Sequence, residues 1–253
     1  IAATSRIMNS YPVHEAVKIL AETGYGAIEI WAEDLEIQLA KGQTSIKTIR
    51  RSMSKYNMAG AVHAPLTDPE SPEQGKLNIA SKKSKLRELS IQKNLEALKY
   101  AYSLGIKTVV VHPGRTDSAD EAADIEYMNL QIDALKILAR EAGNLGLTLG
   151  VEIMEKRSRE FVTEPAIMLE ILAAVDSKNT GVTFDITHAL THGRKVPVRF
   201  IRELGHLIVH AHFSGSSETK RHVPFNLSTV PVSVINRALK ELVKHYSGII
   251  TGP

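Results

Sequence analysis

The stretch Gly105-Ile106-Lys107-Thr108-Val109-Val110-Val111-His112-Pro113-Gly114 decides the reading of this chain. Its centre is an apolar and β-branched run closed on both sides by glycine, the pattern of a parallel strand buried on both faces. His112 is the first polar side chain after that run, and the Pro-Gly pair behind it ends the strand. Leu147–Glu152 repeats the design, with Glu152 where His112 stands.

Working outward, short apolar runs alternate with longer segments of helical period. Eight candidate strands emerge: Ile1–Thr4, Gly26–Trp31, Ala59–His63, Ile106–His112, Leu147–Glu152, Gly181–Asp185, Leu207–His212 and Ser247–Thr251. Seven candidate helices separate them: Val13–Thr23, Ser45–Tyr56, Lys82–Ser103, Ala119–Asn144, Glu164–Val175, Val198–Leu204 and Ser233–His245. In the third of these, Ile91, Leu95, Leu98 and Tyr102 fall on one face, and Gly105 follows its end. Strands alternating with helices predict a parallel sheet, and eight such units predict a (β/α)₈ barrel, a TIM barrel of the α/β class. An open doubly wound sheet is the alternative. No helix follows the eighth strand, so the final helix of the barrel is expected to be missing. No linker divides the chain, and residues 1–253 read as one domain.

Composition narrows the chemistry. The 253 residues are 43% hydrophobic and 23% charged, ordinary for a globular protein. There is no cysteine, so thiol catalysis and thiolate metal sites are excluded, and the absence suits a cytoplasmic location. The net charge of +3, from 31 basic and 28 acidic residues, permits an anionic ligand and is no nucleic-acid signature. No apolar run is long enough to span a bilayer, and no signal peptide is visible. Phosphate-binding glycine loops and nucleophile elbows are also lacking.

One feature repeats along the chain. Five consecutive strands end in His63, His112, Glu152, Asp185 and His212. Singly, each reads as a hydrogen-bonded structural histidine or a helix cap. Together, at equivalent positions of the repeat, they would converge on one mouth of a barrel. Imidazoles and carboxylates gathered in this way suit a divalent metal: Zn, Mn or Mg. The loops Ala64–Gly75, Glu155–Thr163 and Phe213–Pro231 follow strands and are expected to frame that mouth. They and their neighbours bring Arg115, His188, His192, Arg194, Lys195, Lys220, Arg221 and His222 near it. Trp31 ends the second strand and reads first as core, with the wall of a sugar pocket as the alternative.

The segments Leu77-Asn78-Ile79-Ala80-Ser81, Leu86-Arg87-Glu88, Gly105–Gly114 and Asp185-Ile186-Thr187-His188-Ala189 resemble the xylose isomerase-like TIM barrel superfamily. That group holds sugar isomerases and epimerases as well as endonuclease IV-like proteins of AP endonuclease family 2. The epimerase branch implies one metal held by Glu152, Asp185 and His212 and by a glutamate ending the last strand. Here that strand reads Gly248-Ile249-Ile250-Thr251-Gly252-Pro253, without a carboxylate. Glu152 and His188 would then be catalytic, and His188, Arg221 and Trp31 would touch substrate. The endonuclease branch implies three zinc ions, with His63, His112, Glu152, Asp185, His188, His212 and His222 at ligand positions. It expects an aspartate where Lys220 stands.

The resulting expectation is a metal-dependent isomerase or epimerase of a small sugar or sugar phosphate, working through an enediolate. A zinc phosphodiesterase acting at abasic DNA sites is the second reading, and a barrel that binds metal or sugar without turnover the third. No membrane partner is expected, and a homo-oligomer is compatible with the sequence.

Overall fold

A computed structural model of the chain describes residues 1–71, 75–217 and 220–252. Parts of two expected mouth loops, residues 72–74 and 218–219, and Pro253 of the last strand lie outside the described residues. The elements run β1 (Ala2–Thr4), α1 (Val13–Glu22), β2 (Ala27–Trp31), α2 (Ala32–Ala40), α3 (Ile46–Lys55), β3 (Ala59–His63), α4 (Ser84–Leu104) and β4 (Thr108–Val111). They continue α5 (Ile125–Asn144), β5 (Thr148–Glu152), α6 (Pro165–Val175), β6 (Thr180–Asp185), α7 (Ile186–Leu190), α8 (Val196–Leu204) and β7 (Ile208–His212). The last are β8 (Gly215–Ser216), β9 (Arg221–Val223), α9 (Val232–Leu242) and β10 (Ile250–Gly252).

Eight parallel strands close into a barrel in the order β1-β10-β7-β6-β5-β4-β3-β2. Closure is direct: Ala2 and Ala3 pair with Thr251 and Gly252. The open-sheet alternative is therefore excluded, because it requires two strand edges that this sheet lacks. β8 and β9 form a separate antiparallel pair in the loop after β7.

Helices cover the barrel wherever the sequence presents an apolar stripe. Buried Val13, Ala16, Val17 and Leu20 make the inner face of α1, and Phe200, Ile201 and Leu204 that of α8. Helix α4 is rotated relative to the expected face: Ala97, Leu98, Ala101 and Leu104 are buried, whereas Tyr102 is 57% exposed. Small alanines allow close approach to the strands, and the tyrosine ring goes to solvent. Helix α5 begins at Ile125 rather than Ala119, because the Asp124 carboxylate caps it by accepting from the amides of Glu126 and Tyr127. Two helices were not expected. α2 follows Trp31 without a turn, and α7 is a single short helix after Asp185.

Register sets the level of each strand end. Trp31 pairs with His63, Glu152 with Thr183, Asp185 with His212, and His212 with Thr251. The chemically active side chains thus leave the barrel at its C-terminal mouth, where the loops are free to vary without cost to the apolar core.

Candidate metal centre

All five strand-end residues meet at that mouth. His63 closes β3, Glu152 β5, Asp185 β6 and His212 β7, and His112 directly follows β4. Glu152 is the hub. Its Oε2 lies 3.0 Å from His112 Nε2 and 3.6 Å from His63 Nε2, and its Oε1 lies 3.1 Å from His212 Nδ1 and 3.4 Å from His188 Nδ1. Asp185 uses its two oxygens differently. Oδ1 accepts from the amides of Thr187 and His188 at 2.6 and 3.0 Å, capping α7. Oδ2 faces His212 Nδ1 at 3.5 Å and His222 Nδ1 at 3.8 Å. The capping reading of Asp185 is met by Oδ1, while Oδ2 faces the histidines of the candidate centre.

His188 sits on α7 rather than on a loop. Its Nδ1 faces the Ile153 carbonyl at 2.9 Å and its Nε2 the Glu155 carboxylate at 2.9 Å. His222 comes from β9, 49% exposed and with φ at 54°, its ring edge-on to His188 at 5.3 Å. Arg221 beside it reaches Glu155 at 3.9 Å. Trp31 is half-buried at the cavity wall, not in the core. Its ring stacks on His63 with centroids 3.8 Å apart, and its Nε1 donates to Thr4 Oγ1 at 2.8 Å.

Burying carboxylates is costly unless positive charge compensates. Glu152 is 2% exposed and Asp185 0%. Burial pushes the Glu152 carboxyl upward, but the charges and hydrogen bonds of His212 and His112 override this and hold it well below its ordinary value. Asp185 is likewise lowered against its burial, by His188 and His222. The same couplings act in reverse on the imidazoles. His212 is raised well above its usual value despite burial, by Glu29 and Glu152, and His188 is raised to about 10 by Asp185, Glu155 and Glu152. Burial dominates at His112, which is lowered.

The donor set fits a divalent cation. Among the described residues, Glu152 Oε2 and Asp185 Oδ2 are buried and face histidine nitrogens without a well-aligned hydrogen bond, an expense that native proteins avoid unless something else occupies the position. Three overlapping groups have ligand atoms within 4.8 Å of one another: His63–His112–Glu152, Glu152–Asp185–His212 and Asp185–His188–His222. A fourth group, Glu29–His210–His212, extends deeper into the barrel.

Glu29 was not legible in the sequence. It lies in the middle of β2, inside the run Ala27-Ile28-Glu29-Ile30-Trp31, where alternation makes it look like an ordinary outward polar residue. In the closed barrel it is 2% exposed and faces His210 and His212 from the opposite wall. Glu155, in the loop after β5, was also missed. It is held at about 2, against its burial, by its hydrogen bond to His188 and by Arg157 and Arg221. Lys220 is exposed at the rim and takes no part in the cluster. The mouth opens into a cavity of about 540 Å³, within the range of small-molecule sites.

A barrel with this mouth is compared most directly with proteins of known family. The model of the xylose isomerase-like TIM barrel family matches residues 17–251, and the chain belongs to that family. A protein of unassigned function from Methanocaldococcus jannaschii is 29% identical over 237 residues, covering 92% of this chain and 75% of its own length. Among solved structures, a D-tagatose 3-epimerase-like protein superposes with a TM-score of 0.82 at 27% identity, covering 99% of this chain and 88% of its own. A D-psicose 3-epimerase determined with D-fructose gives 0.75 at 18%, covering 100% and 84%. An AP endonuclease family 2 protein from Brucella melitensis gives 0.75 at 19%, covering 99% and 91%; these last two likenesses bear on the fold alone. Among the described residues no helix is long and apolar enough to cross a membrane.

Proposed function

We propose that this chain is a metal-dependent isomerase or epimerase of a small sugar, built as one domain, with Glu152, Asp185 and His212 holding the ion. The observation that carries the reading is the pair of buried carboxylate oxygens, Glu152 Oε2 and Asp185 Oδ2, that face histidine nitrogens without a well-aligned hydrogen bond, with Glu152 lining the cavity at the mouth. A divalent ion bound there supplies a Lewis acid that polarises a carbonyl and acidifies the neighbouring C–H. The D-tagatose 3-epimerase-like protein among the structural neighbours supports the same reading.

The chain's own residues supply the rest. Glu152 is the carboxylate that moves the proton at the reacting carbon. His188 lines the same space, and its Nε2, which meets Glu155, is the nitrogen that would turn to a substrate oxygen, while the Ile153 carbonyl holds its Nδ1. Trp31 presents an aromatic wall, suited to the C–H face of a sugar, and its stack orients His63. Arg221 bounds the opening.

The test is deuterium exchange. Metal-loaded protein is incubated with a panel of ketoses in D₂O and followed by NMR. Exchange at a carbon adjacent to the carbonyl, lost in Glu152→Gln, is the expected result. Absence of exchange for every sugar, or undiminished exchange in the variant, overturns the reading.

A second reading is favoured by one specific observation. His63, His112, His188 and His222 extend the ligand set to three overlapping groups, more than a single ion needs. A zinc phosphodiesterase acting at abasic DNA would use them all. Two or more zinc ions per chain together with cleavage of an abasic duplex would establish it in place of the first.

A further inference from the structure

The sequence places basic residues on three separate mouth loops, and the fold brings them to one side of the cavity. Lys76, Arg115 and Arg157 all line it, on the loops after β3, β4 and β5 respectively. Backbone bonds fix the loops to one another. The Asn78 side chain accepts from the Arg115 amide at 3.0 Å and donates to the Arg115 carbonyl at 2.8 Å. Arg115 bridges Glu160 in antiparallel fashion, and the Thr116 amide donates to the Arg159 carbonyl at 2.9 Å. Lys76 is tied to Thr67 in the same way. The cations therefore hang from a braced frame and not from independent arms.

Like charges so placed repel, and the two carboxylates among them, Glu155 and Glu160, offset only part of the three positive charges. Arg157 has partners, Glu155 at 2.8 Å and Glu160 at 3.7 Å. Glu160 and Asp117 act on Arg115 from a distance, but among the described residues no carboxylate forms an ion pair with it, and its Nε is buried without a hydrogen bond. A buried guanidinium donor left unused beside two further cations is the signature of a site that waits for an anion. The path from this cluster to the metal centre is short. Arg157 touches Glu155, Glu155 touches His188 at 2.9 Å, and His188 lies 3.4 Å from Glu152.

We propose that Lys76, Arg115 and Arg157 form a subsite for the phosphoryl group of a sugar phosphate whose carbonyl end lies at Glu152, Asp185 and His212. The proposal rests on the isomerase reading of the metal centre and assigns its substrate class. The guanidinium forks of two arginines match phosphate oxygens in pairs, and the lysine adds a mobile point charge. Metal at one end and cations at the other would discriminate against a ketose without the phosphate, which offers nothing to the cations.

Binding separates this inference from the chemistry. Calorimetry on the metal-loaded chain would compare D-ribulose 5-phosphate with D-ribulose, alongside a ketouronic acid and a duplex carrying an abasic-site analogue. We expect the phosphate ester to bind at least about 10-fold more tightly than the free ketose, since a charge-assisted contact carries that much. In Arg115→Met and Lys76→Met, that ratio falls toward one while metal content and thermal unfolding stay unchanged. Arg115→Lys should recover part of it. Equal affinity for the ester and the free sugar overturns the subsite. So does a preference for the carboxylate, or cluster-dependent binding of the duplex alone, which assigns the same cations to nucleic-acid phosphate. If the ester binds through the cluster but no C–H exchange occurs, the subsite stands and the isomerase reading fails.

Discussion

His212 is held from both sides. Its Nδ1 lies 3.1 Å from Glu152 and its Nε2 3.0 Å from Glu29, which also faces His210 Nε2 at 2.6 Å and accepts from Thr251 Oγ1 at 3.0 Å. In the proposed centre Glu29 would be an outer carboxylate that fixes the ring orientation of His212 and leaves Nδ1 toward the ion. Outer partners of this kind typically contribute 10- to 100-fold to metal affinity. Glu29→Ala should weaken zinc or manganese binding by about that factor in competition with a chromogenic chelator. Glu29→Gln, which can still hydrogen-bond, should lose less. Unchanged affinity in both variants would show that His212 needs no such support.

Protonation gives a second prediction. His188, raised to about 10, and His212, raised well above its usual value, both carry a proton near neutrality in the metal-free chain. A metal takes only neutral imidazole nitrogen, so binding must release protons. Calorimetric titrations in buffers of different ionisation enthalpy should show proton release at pH 7, and affinity should rise with pH. The sign for metal-free stability is opposite. A raised histidine stabilises the fold fully below its unfolded value of 6.5 and loses that contribution as pH climbs through about 10. Chelator-treated protein should therefore melt at lower temperature as pH rises from 7 toward 10, and metal-loaded protein should not follow it. A flat melting profile in the metal-free chain contradicts the coupling.

The strands and their order were legible because parallel barrel strands are continuous apolar runs, and because five of them end at or just before a ligand-type side chain. Residues such as Val109–Val111 and Leu149–Val151 leave little room for another reading. What was hidden depended on closure. Glu29 and His210 stand 181 residues apart, and only the pairing of β1 with β10 completes the ring that brings them together. Helix α2 was hidden for a local reason. It starts at Ala32 with no turn residue before it, and its N-cap, Trp31, lends no side-chain hydrogen bond. Helix α7 is too short to show a period, and it is set by Asp185 alone.

Gly114, in the His112-Pro113-Gly114 turn, supplies a third prediction. A Cβ there would stand 2.1 Å from the Ala80 Cβ and 2.9 Å from the Ala80 amide nitrogen. The Gly114 amide also donates to the buried Gln131 side chain at 2.7 Å. The loops after β3 and β4 pack backbone to backbone, so neither can yield cheaply. Gly114→Ala should destabilise the fold by about 1–3 kcal/mol in urea unfolding, as overpacking does. Because His112 lies two residues away, metal affinity should fall as well. Wild-type stability in this variant would mean that the two loops separate more freely than their packing implies.

Trp31 turns the centre into its own reporter. It is the one tryptophan of the sequence, so the intrinsic fluorescence excited near the red edge belongs to it. One face lies against His63 at 3.8 Å with 7° between the planes, and the Arg6 guanidinium covers the ring at 3.8 Å. Any ion taken by His63 Nε2 changes the charge on a ring in van der Waals contact with the indole. Titrating zinc into chelator-treated protein should therefore give a saturable fluorescence change, with a midpoint matching the calorimetric one for the His63–His112–Glu152 group. In His63→Ala that change should vanish, while metal bound through Glu152, Asp185 and His212 persists by elemental analysis. Should wild-type fluorescence stay constant through saturation, His63 is no ligand. The centre then loses its His63–His112–Glu152 group and keeps those at Asp185, which weakens the support for a phosphodiesterase.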